Sequence, residues 1–87
     1  MQHRRPELRT ELDLLNNRVR ANPNLVVRRD LGRMLNHAEE LYSELDRELV
    51  ESRRLQRYTH AYSELETKLA QQLESVSKWL VWAHLRF

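Results

Sequence analysis

The 87-residue chain contains no cysteine, one glycine and two prolines. Without cysteine there is neither a disulfide framework nor a thiolate metal site, and with so few turn-forming residues a β-sandwich is excluded in favour of an all-α fold. No uninterrupted apolar run approaches the ~20 residues of a membrane span, and the first five residues carry no signal-peptide apolar core. A soluble intracellular protein is expected. One glycine also leaves no glycine-rich phosphate loop, and the four histidines, His3, His37, His60 and His84, fall in different segments without zinc-ligand spacing. Glu39, Glu40 and Glu44 have no Glu-x-x-His companion and are expected to form a solvated helix face. No catalysis, metal or cofactor is expected.

Lysine is scarce as well. The basic side chains are 13 arginines and 2 lysines, within a net charge of +2. Arginine's planar fork binds phosphate and carboxylate bidentately, whereas lysine acts as a compact point charge. Eight of the arginines lie in residues 1–33, against Glu7, Glu11, Asp13 and Asp30, a local charge of +4 that leaves −2 for the rest. A basic amino-terminal third favours an anionic partner.

What the chain has in quantity is helical periodicity. Hydrophobic residues make up 40% and charged residues 32%, too apolar for disorder, and the length fits one domain, 1–87, whose small core favours association. Pro6 and Glu7 suit a first helical turn, and Leu8, Leu12, Leu15 and Val19 give a helix over about 6–21 with an Arg9–Asp13 pair on its outer side. Asn22-Pro23-Asn24 marks a hairpin turn. A long helix over about 25–57 follows, its entry delayed if Val26 and Val27 extend the connection. Leu31, Met34, Ala38, Leu41, Tyr42, Leu45 and Leu49 share one side of it; Arg29, Arg33, Asn36, Glu40, Glu44, Arg47, Glu51 and Arg54 share the other. Gly32 inside this pattern predicts close approach of a neighbouring helix. The apolar phase slips between Leu55 and Tyr62, with Thr59 or a Ser63–Glu66 capping box as alternative starts of a third helix over about 60–85. Its end, Trp79–Phe87, is apolar all round and calls for a partner, most often a second copy.

The outward arginines admit two interpretations. Arg29 to Arg47 spans ~27 Å at 1.5 Å per residue, enough to touch phosphates over about one duplex turn, yet Glu40, Glu44 and Glu51 among them equally fit a salt-bridged solvated surface. The stretch Asn22-Pro-Asn-Leu-Val-Val-Arg-Arg-Asp-Leu31, leading into a long helix with an outward Arg47, resembles the RNA-silencing suppressors of nodaviruses, over roughly residues 6–62. That resemblance implies a helical hairpin pairing antiparallel with a second copy into a four-helix bundle. It further implies sequence-independent binding of double-stranded RNA, long duplex and small interfering RNA alike, in the host cytoplasm. The duplex would thereby be shielded from Dicer and from silencing-complex loading, with Dicer or the viral replicase as further partners. By the same resemblance Arg29 and Arg47 contact phosphates and His37 faces the groove. Glu40 replaces a family lysine, and the third helix is longer and more apolar than the family's.

The expected RNA-binding set is therefore Arg29, Arg33, Asn36, His37, Arg47 and Arg54, and the expected homodimer interface is Leu31, Met34, Ala38, Leu41, Leu45 and Leu49. A two-fold axis would bring the Arg29 end of one long helix toward the Arg47 end of its mate. Duplex RNA, with its shallow minor groove and deep major groove, is recognised by shape and backbone, and the lack of aromatics on the polar face disfavours a single-strand stacking platform. A helical adaptor gripping a protein through the apolar carboxyl-terminal helix is the alternative from another class.

Overall fold

The computed structural model describes residues 4–86 and forms three α-helices: α1 (Arg5–Arg20), α2 (Leu25–Leu55) and α3 (His60–Arg86). His3 and Phe87 lie outside the described residues. Each boundary has a local cause. Pro6 sits in the first turn of α1, which has no side-chain cap of its own. Instead Glu66 of α3, buried at 6% exposure, accepts the Arg4 backbone N–H at 3.1 Å and places a carboxylate at the positive end of the α1 dipole. In the turn, Asn22 Oδ1 accepts the Asn24 N–H at 2.8 Å, and Asn24 Oδ1 accepts the N–H groups of Val26 and Val27 at 2.9 and 3.2 Å. That cap starts α2 at Leu25, so the two valines belong to the helix despite their modest propensity.

The phase slip between Leu55 and Tyr62 is a true break, and α2 ends at Leu55, two residues short of the expected 57. Gln56 adopts the left-handed conformation (φ 58°, ψ 32°). Its N–H and that of Arg57 bond the carbonyls of Arg53 and Ser52, the Schellman closure that stops a helix. Thr59 then caps α3: its hydroxyl accepts the Tyr62 N–H and donates to Glu48, both at 3.0 Å, while the buried Ser52 hydroxyl accepts the Thr59 N–H at 3.2 Å. Ser63 lies inside α3 and starts nothing. A non-glycine residue in the left-handed region costs about 1–2 kcal/mol. Gln56→Gly should therefore stabilise the fold by roughly 0.5–1 kcal/mol and raise Tm by a few degrees in a calorimetric scan; an unchanged or lower Tm would refute this account of the elbow.

The three helices run up, down and up around one core. Leu8, Leu12, Leu15 and Val19 of α1 meet Val27, Leu31, Leu35, Ala38, Leu41, Tyr42, Leu45 and Leu49 of α2. Tyr62, Leu69, Leu73, Val76, Leu80 and Ala83 of α3 close the third side. Leu35 joins a stripe that the periodicity draws without it. The expected dimer seam is thus interior to a single chain. Leu31, Ala38, Leu41, Leu45 and Leu49 are all buried, Met34 is half-buried, and α1 and α3 supply the cover assigned to a second copy. A four-helix bundle built on this seam would have to displace α3, whose length the hairpin expectation undervalues. Gly32 is likewise reassigned, since a Cβ there would meet nothing within 4 Å and no helix crosses it. The bundle measures 48 × 18 × 16 Å, and no helix among the described residues is long and apolar enough to cross a membrane.

Candidate nucleic-acid interface

Not all of the amino-terminal positive charge is available to a partner. Arg5 donates to the Tyr42 hydroxyl at 2.6 Å and to Asp46 at 2.8 Å. Arg9 forms a fork onto Glu39 at 3.0 and 2.9 Å, pairs with Asp13, and lies over the Tyr42 ring at 4.8 Å. These two arginines clamp α1 to α2. Glu39, expected on a solvated face with Glu40 and Glu44, is the acceptor of that clamp and also takes a 3.4 Å bond from Asn16.

The fork has a consequence in acid. The hydrogen bond from Arg9 holds the Glu39 carboxyl below its ordinary value near 4.5, outweighing the opposing effect of burial. A carboxylate with a lowered folded-state pKa contributes stability above its unfolded pKa and loses it as pH falls through the folded one. Both side chains are about a third exposed or more, which limits the contribution to roughly 0.5–1 kcal/mol. Glu39→Gln should accordingly cost that much in urea unfolding at pH 7 and little at pH 3, and a cost that persists unchanged at pH 3 would show that shape rather than charge matters.

The outward face of α2 carries the expected RNA-binding residues, all exposed: Arg29, Arg33, Asn36, His37, Arg47 and Arg54. Their electrostatic states differ. Arg54 is engaged by Glu51 on the same face, Arg29 is loosely paired with Asp30 at 3.7 Å, and His37 lies 3.7 Å from Glu40. Arg33 and Arg47 form no ion pair among the described residues. Glu40 and Glu44 separate the two basic ends, so the middle of the face is acidic. At the carboxyl-terminal end Arg53 and Arg57 are exposed beside Arg47 and Arg54.

The amino-terminal end holds a feature that spacing along one helix could not reveal. Arg20 of α1 joins Arg28, Arg29 and Arg33 of α2 around a cleft of about 340 Å³, lined further by Asn16, Asn36 and the open space at Gly32, with no carboxylate in its walls. Arg18 and Arg20 end α1, where they also offset its negative dipole end. A different groove, of about 350 Å³, lies between the start of α2 and the end of α3, with Val26, Val27, Leu31, Met34, Trp79 and Trp82 in its lining. Trp79 and Trp82 stay exposed at it, Val81 and Leu85 are exposed elsewhere on α3, and Leu80 and Ala83 pack inward. Among the described residues no three His, Cys, Asp or Glu side chains are placed to hold a metal ion.

No family model, curated protein or solved structure matches the chain.

Proposed function

We propose that this protein binds double-stranded RNA through the outward face of α2, independently of base sequence. Following the nodavirus resemblance, it would thereby shield duplexes from Dicer and from silencing-complex loading in the host cytoplasm. The observation that carries the proposal is the placement of two exposed arginines without carboxylate partners, Arg33 and Arg47, ~21 Å apart on one face of one rigid rod. A 31-residue helix is ~46 Å long. A straight rod of that kind can follow phosphates and 2′-hydroxyls, but it offers no protruding element to read base edges.

With the Leu31–Leu49 seam internal, the single chain is the binding unit, and any second copy meets it through the exposed Trp79–Leu85 surface of α3. A gel shift with a 21-base-pair RNA duplex tests the reading. Binding should be indifferent to sequence and weaker for B-form DNA of the same sequence and for single strands. If four to six phosphates are neutralised, affinity should fall with salt at a log–log slope on the order of −4 to −5. Equal affinity for RNA and DNA duplexes at ~150 mM salt would mean plain polyelectrolyte attraction. The exposed tryptophan groove favours the second reading, a protein-binding adaptor, which stands if neither duplex binds.

A further inference from the structure

The duplex reading uses the arginines as a row; the cleft between α1 and α2 uses four of them as a pocket. We propose that this cleft is a phosphomonoester site that captures the terminal 5′-phosphate of a nucleic-acid duplex. The inference rests on the duplex-binding reading and adds to it a preference for one kind of end.

Three features of the cleft point to a terminal phosphate over an internal one. The first is charge. Arg20, Arg28, Arg29 and Arg33 line it with no carboxylate among its lining residues, and Arg20, Arg28 and Arg33 have no ion pair among the described residues. A phosphomonoester carries close to two negative charges at neutral pH and three free acceptor oxygens, whereas a backbone diester carries one charge. The second is shape. The cleft has an open floor at residue 32, which carries no side chain and where a Cβ would meet nothing within 4 Å. An internal phosphate has a sugar on either side and stays on the convex surface of the duplex, while a terminal one projects and can enter. The third is placement. The cleft sits beside the α1–α2 turn, at one end of a bundle 48 Å long, and adjoins the outward face through Arg29 and Arg33. Arginine forks at the rim suit bidentate phosphate recognition.

The test compares one 21-base-pair RNA duplex with 5′-phosphate and with 5′-hydroxyl ends, by fluorescence anisotropy at ~150 mM salt. The phosphorylated duplex should bind about tenfold more tightly, roughly the size of one net hydrogen bond to a charged group. Gly32→Met removes no charge, improves helix propensity and fills the recess, so the ratio of the two affinities should fall to about one, with helicity checked by circular dichroism. Equal affinities in the unaltered protein would overturn the inference and leave duplex binding intact. A preference that survives Gly32→Met would place the phosphate elsewhere and overturn it too. Absence of binding to both duplexes would overturn the duplex reading together with the inference. A 5′-phosphorylated single strand serves as the last arm, since affinity equal to that of the phosphorylated duplex would refute the assignment to a duplex end.

Discussion

Replacing Arg33 and Arg47 together by glutamine should weaken binding of a 21-base-pair RNA duplex on the order of 30- to 100-fold at ~150 mM salt, since each arginine withdrawn from a phosphate leaves about one counterion unreleased. Arg86→Gln, which removes a cation stacked over Trp82 at the far end of α3, should leave affinity within about twofold. Neither change touches the core, so circular dichroism should stay constant. The salt dependence supplies the decisive detail: the log–log slope should become shallower by nearly two in the double variant and stay the same for Arg86→Gln. Arg33 and Arg47 lie 14 residues apart on one helix, ~21 Å at 1.5 Å per residue. Single variants that each weaken binding would indicate that both arginines touch the duplex. If Arg86→Gln weakened binding as much as either single variant, overall charge would be responsible and the α2 face would be the wrong surface.

The second large effect is expected from Leu45→Asp. Leu45 has no exposed surface, and a carboxylate placed there has no basic partner within the apolar layer formed by the three helices. The cost should exceed ~4 kcal/mol, comparable with the total stability of a domain this size, roughly 4–13 kcal/mol at 0.05–0.15 kcal/mol per residue. The variant should therefore lose most of its helicity. Leu14→Asp, at a position 58% exposed on α1, should change stability by no more than about 0.5 kcal/mol. Combined circular dichroism and light scattering separate this outcome from the one that follows if Leu45 lines a dimer seam. In that case the substitution would release a folded, helical monomer of 10.6 kDa, and the single-chain core described here would be wrong.

The contrast between these two outcomes shows where sequence reasoning stops. Spacing places Leu31, Leu41, Leu45 and Leu49 on one side of a long helix, and Asn24 and Gln56 explain its ends. An apolar stripe specifies that it must be covered but not by which chain. The periodicity of Leu69, Leu73, Val76 and Leu80 is legible; its use as the lid over α2 is not. Charge misleads for a related reason. Arg5 and Arg9 count toward a basic amino-terminal third, yet their partners Asp46 and Glu39 lie 41 and 30 residues away, beyond any local pattern. The cleft is invisible to spacing because Arg20 belongs to another helix from Arg28, Arg29 and Arg33, and Gly32, expected to mark close packing, marks open space.

The unequal lengths of the helices carry one more consequence. The side chain of Arg5, at the start of α1, reaches as far as Asp46, so Arg47 to Leu55, nine residues of α2, extends past the amino-terminal end of α1 with only the first turns of α3 alongside. Amide protons in that overhang should exchange with solvent well before those near Leu35, which both neighbouring helices shelter. The two basic ends of the rod then differ in mechanical character. The Arg28–Arg33 end has neighbours on both sides and holds its position through every local opening, while the Arg47–Arg54 end of the same rod leans on α3 alone and is the first part of α2 to open.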